Sequence, residues 1–101
     1  MLLNLELDPA IERKINIIFN NTKNKDLLFE ELINYQINEM KKGIVNIKND
    51  LISFEKKYNM SSEEFYNKTN NGELDDRKDF IIWAGIYEMY ISNIEKVKEL
   101  E

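Results

Sequence analysis

Cysteine and histidine are both missing from the 101 residues. Their absence excludes thiol and imidazole nucleophiles, disulfides, and nearly every zinc, copper or haem site. Proline occurs once and glycine three times. That is too few for a turn-rich β-sandwich or barrel, and too few for a glycine-rich phosphate loop. No apolar run approaches the roughly 20 residues a membrane helix needs. Met1–Leu7 is short and is broken by Asn4 and Glu6, so it does not read as a leader. The expected location is the cytoplasm, with no membrane association and no cofactor.

What is present is the composition of a folded chain: 43% apolar and 33% charged. Acids outnumber bases 19 to 14, for a formal net charge of -5. The excess is uneven. Residues 1–50 hold 7 bases and 8 acids, whereas residues 51–101 hold 7 bases and 11 acids. Phosphate binding draws on lysine and arginine, so the second half is a poor nucleic-acid surface. It suits a basic partner, or a solvated surface that keeps the chain soluble.

Hydrophobic spacing predicts a mainly α fold. Leu3, Leu5 and Leu7 alternate with Leu2, Asn4 and Glu6, the period of a strand with one buried face. A lone strand cannot satisfy its ladder. The expectation is therefore that it pairs with the same strand of a second copy, making a homodimer through Leu3, Leu5 and Leu7. Asp8-Pro9 then starts a helix with Ile11, Ile15, Ile18 and Phe19 on one face, ending near Asn20. Asp26 is the expected cap of a long helix reaching Tyr58. Its seam (Ile33, Ile37, Met40, Ile44, Ile47, Leu51, Phe54, Tyr58) keeps a heptad spacing. Ser61 and Glu64 form a capping box for a short helix over 62–69, closed by Gly72 in a left-handed conformation. Asp75 or Asp76 is the expected cap of a last helix carrying Phe80, Trp83, Tyr87, Tyr90, Ile94 and Val97. The long and last helices are expected to fold back as an antiparallel hairpin. The division expected is a dimerisation unit over 1–42 and a helical hairpin over 43–101.

The segment Asn4-Leu5-Glu6-Leu7-Asp8-Pro9-Ala10-Ile11, the polar turn up to Asp26, and Leu27 to Ile37 resemble the ribbon-helix-helix family of small DNA-binding proteins. The resemblance implies a two-stranded ribbon in the major groove, with Leu2, Asn4 and Glu6 facing bases. Asn4 and Glu6, with Lys23 and Lys25 on the backbone, are the DNA-binding candidates. Glu6 departs from the family, because an acid is repelled by nearby phosphates.

The stretch Tyr58-Asn59-Met60-Ser61-Ser62-Glu63-Glu64-Phe65-Tyr66, then Gly72-Glu73-Leu74-Asp75-Asp76, then Asp79-Phe80, Trp83 and Tyr87-Glu88, is similar to small prokaryotic proteins of toxin–antitoxin pairs. What that resemblance implies is an antitoxin that neutralises a cognate toxin, commonly a ribonuclease, through its helical half. Phe65, Tyr66, Asp75, Asp76, Trp83, Tyr87 and Tyr90 are the partner-binding candidates, since tyrosine and tryptophan are enriched at binding hot spots. Aromatics at heptad spacing also read as core. A structural or adaptor subunit that dimerises without binding DNA is the competing reading.

Glu73, Asp75, Asp76 and Asp79 place four acids in seven residues, but not in a calcium-loop order. Acids before a helix also suit its dipole. No metal site and no catalytic residue are assigned, and the chain is not expected to be an enzyme.

Overall fold

The computed structural model describes residues 4–101. The chain divides into two compact units, Met1–Asn34 and Tyr35–Glu101, so the first ends before the expected boundary at residue 42. Four helices carry the fold: α1 (Pro9–Asn21), α2 (Lys25–Tyr58), α3 (Ser62–Asn70) and α4 (Lys78–Leu100). Helix α2 begins in the first unit and continues into the second.

The expected N-terminal strand is not found among the described residues. Leu3 lies outside the described residues, and no strand occurs among those that are described. Asn4 to Asp8 run irregularly into α1, with Leu5 and Leu7 exposed to solvent. The alternation of leucines is a real pattern, but so short a segment carries no ladder without a mate. The ribbon reading and the strand-paired dimer fall together.

The first unit is a pair of helices. The Asp8 carboxylate accepts from the Ala10 N–H at 2.9 Å, and Pro9 occupies the first helical turn where its missing N–H costs nothing. Asn21 and Thr22 close α1 by donating to the Ile17 and Ile18 carbonyls at 2.7 and 2.6 Å. Asn24, not Asp26, then caps α2: its side-chain oxygen accepts from the Leu27 N–H at 3.0 Å. Asp26 lies instead in the first turn of the helix, which the macrodipole also favours. Phe19 meets Phe29 edge-on at 5.4 Å between centroids. No residue of α1 is buried.

The second unit holds the core. Leu51, Phe65, Phe80 and Trp83 form one buried cluster, with Ile47, Phe54 and Tyr58 packed against it. Trp83 stacks flat on Phe65, centroids 3.8 Å apart. Its indole N–H donates to Ser62 Oγ at 2.9 Å, and the Ser62 N–H donates to the Glu55 carboxylate at 2.8 Å. One short polar chain thus ties α2, α3 and α4 around an aromatic stack. Lys41 pairs with Glu101, Lys48 lies over the Tyr90 ring, and Lys57 pairs with Asp79 at 2.6 Å. Rising numbers on α2 meet falling numbers on α4, so the two run antiparallel.

The ends of these helices follow from local chemistry. Asn59, with φ 52°, ends α2, and the Met60 N–H reaches back to the Glu55 carbonyl at 3.3 Å. Ser61 Oγ accepts from the Glu64 N–H at 3.1 Å and caps α3. Gly72 takes φ 71°, and the Glu73 and Gly72 N–H groups close on the Lys68 and Thr69 carbonyls at 2.9 and 3.1 Å. This is the Schellman arrangement that glycine permits. Neither Asp75 nor Asp76 caps α4. Arg77 holds that position without a side-chain cap bond. Asp75 is drawn off by Arg77 itself, accepting from its backbone N–H at 3.1 Å and its guanidinium at 2.9 and 2.8 Å.

Candidate interaction groove of the second unit

Helix α4 carries two stripes. One is the core seam already described. The other, Ile81, Gly85, Glu88, Ser92 and Glu95, keeps the spacing 4, 3, 4, 3 beside it. This second stripe lines two adjoining grooves that share Glu88. The first groove, about 310 Å³, is formed with Thr69, Asp75, Asp76, Phe80 and Ala84. The second, about 240 Å³, is formed with Tyr66, Tyr87 and Ile91. Four carboxylates line the pair, Asp75, Asp76, Glu88 and Glu95, and no lysine or arginine does.

The acids are not equivalent. The Arg77 guanidinium holds the Asp75 carboxyl down to about 2 and neutralises its charge locally. Glu88 accepts from the Tyr66 hydroxyl at 2.7 Å, and that bond raises the Tyr66 pKa. Asp76, Glu88 and Glu95 are in no ion pair among the described residues. Burial, and then the charge of Glu63, pushes the Tyr87 hydroxyl up. Between the acids the floor is apolar, from Phe80, Ile81 and Ala84 to Ile91. Thr69 Oγ1, on the wall of the first groove, is buried without a hydrogen-bond partner. Such a surface suits a cationic ligand with an apolar face.

The structure sorts the expected site residues. Tyr66, Asp75, Asp76 and Tyr87 meet on the grooves. Phe65 and Trp83 do not: both are fully buried and belong to the core. Tyr90 is half-buried, beneath the Lys48 ammonium at 5.4 Å from its ring centroid. Asn4 and Glu6 lie exposed in the irregular segment before α1, Lys23 is exposed in the turn before α2, and Lys25 is exposed at the first position of α2. Glu88, Glu95, Ile81 and Gly85 were missed as site residues. Their signal was the second stripe of α4, masked by the stronger aromatic seam next to it. Among the described residues, no group of three or more acids is placed to hold a metal ion. Asp79 is engaged elsewhere, accepting from Tyr58 at 2.5 Å and Lys57 at 2.6 Å. No helix among the described residues is long and apolar enough to cross a membrane.

Comparison with protein-family models, characterised proteins and solved structures gives no match for this chain.

Proposed function

We propose that this chain is an antitoxin-like binding protein, whose second unit captures and neutralises a basic protein partner on the α3–α4 grooves. The observation that carries the reading is the pair of adjoining grooves with an apolar floor and three acids, Asp76, Glu88 and Glu95, in no ion pair among the described residues. A ribonuclease toxin needs a cationic surface to hold RNA. An acidic groove with apolar contacts covers such a surface and competes with the nucleic acid for it. Complementary charge also raises the encounter rate at low salt. The resemblance of residues 58–88 to toxin–antitoxin proteins points the same way. Operator binding is not part of the proposal, because no ribbon presents Asn4 and Glu6.

The test is co-expression with the reading frame adjacent to this gene. That frame is expected to encode a small basic protein that arrests growth alone and is tolerated beside this chain. Asp76→Lys combined with Glu88→Lys is expected to abolish the protection while leaving the helical circular-dichroism signal unchanged. A neighbour that is harmless alone, or protection that survives the double reversal, contradicts the reading.

A further inference from the structure

The α3–α4 grooves restrict the conformation of what they hold. Their floor follows one face of α4 from Ile81 to Glu95, about 21 Å at 1.5 Å per residue. We infer that the occupant is an amphipathic α-helix of the basic partner, about four turns long, lying along α4 with its apolar stripe over Gly85 and its lysines or arginines against Asp76, Glu88 and Glu95. The inference rests on the proposed capture of a basic partner and names the kind of segment that is captured.

Three observations select a helix. The first is the backbone. Tyr66 and Thr69 on one wall, and the residues from Phe80 to Glu95 on the other, lie inside α3 and α4, where N–H and C=O groups are spent within the helix. An extended segment pressed there loses water from its own N–H and C=O groups and finds no backbone partner. Strand addition needs an open sheet edge, and no strand occurs among the described residues. A helix arrives with its backbone already paired. The second is room. Gly85 is exposed on the floor, and a Cβ there would meet nothing within 4 Å. Ala84 beside it and Ser92 two turns later are also small. A large apolar side chain of an incoming helix fits against that low stretch, beside Ile81. The third is charge. Glu88 and Glu95 are seven residues apart on one face, and neither is in an ion pair among the described residues. A helix alongside α4 matches them with two basic residues one heptad apart. The nearby bases do not answer these acids: Arg77 is held by Asp75, and Lys78 and Lys96 line neither groove.

Synthetic peptides titrated into the full chain test it by fluorescence anisotropy at 50 mM salt. The probe is a helix of roughly 18 residues built from alanine, leucine and lysine, with leucines on one stripe and lysines flanking it at heptad spacing. A second peptide has its central alanine replaced by proline, which breaks the helix and keeps the charge. The helical peptide is expected to bind at least tenfold more tightly than the broken one. Gly85→Leu puts a side chain into the first groove without altering charge. It is expected to weaken binding of the helical peptide at least tenfold, with no loss of melting temperature, because the new Cβ has open space. Asp76→Lys combined with Glu88→Lys is expected to weaken it as well. Equal binding of the two peptides, or wild-type affinity in Gly85→Leu, overturns the helical occupant. If charge reversal still abolishes binding in that case, capture by charge stands without it. A helical peptide that does not bind at all also overturns the inference, while the co-expression assay decides the capture itself.

Discussion

Trp83 joins the hydrophobic and the polar order of the core in one side chain. Its ring lies on Phe65 and its N–H ends on Ser62 Oγ, with no exposed surface left. Trp83→Ala is expected to cost about 3–5 kcal/mol, the range for truncating a buried aromatic. Ser62→Ala removes few atoms but orphans the indole N–H, and is expected to cost about 1–3 kcal/mol in chemical denaturation. Equal stability of Ser62→Ala and the wild type would show that the bond is not used. Asp79 gives the charge-dependent counterpart. Lys57 and then Tyr58 hold its carboxyl below the ordinary carboxylate range. Its contribution is therefore complete above the unfolded carboxylate pKa of about 4, and fades as pH falls through the lower folded value. The melting-temperature gap between wild type and Asp79→Asn is expected to be full at pH 6 and to close in more acid solution. A gap independent of pH would mean that Asp79 acts by shape rather than by charge.

Helix ends and helix faces separate what was legible in the sequence from what was not. Periodicity placed α1, α2 and α4, because apolar side chains spaced at 3.6 residues share one face only when the backbone is helical. The short α3 was placed by its capping box instead. Ser61 and Gly72 were legible because each meets a specific backbone need. Gly72→Ala is expected to destabilise by about 1 kcal/mol, since φ 71° crowds a Cβ. Gly43→Ala is expected to do the opposite, stabilising by about 0.5–1 kcal/mol, because a Cβ there meets nothing within 4 Å. Thermal or denaturant midpoints of the two variants check the pair of signs. The caps of α2 and α4 were misplaced for one reason. Asn24 and Asp26 flank the start of α2, and Asp75, Asp76 and Asp79 that of α4; which side chain turns back depends on rival partners, such as the Arg77 guanidinium at α4. The N-terminal strand was misread because alternation over so few residues carries no information about a mate. Of the groove, Asp75 and Asp76 stood out in the sequence, while Glu88 and Glu95 were hidden beside the aromatic seam.

At the scale of the whole molecule, the two units have different unmet needs. The second is closed around its own aromatic core and turns acids and apolar side chains outward along α3 and α4. The first has no buried residue on α1 and an uncovered aliphatic face. The basic partner proposed above answers the need of the second unit. The most direct measurement is calorimetric titration of the adjacent gene's product into the full chain, wild type against Asp76→Lys/Glu88→Lys, at 50 and 300 mM salt. Tight binding that weakens with salt and falls at least tenfold on charge reversal is the expected result. Affinity indifferent to both salt and the reversal, or no binding at all, would contradict a role for the acidic grooves in holding a partner.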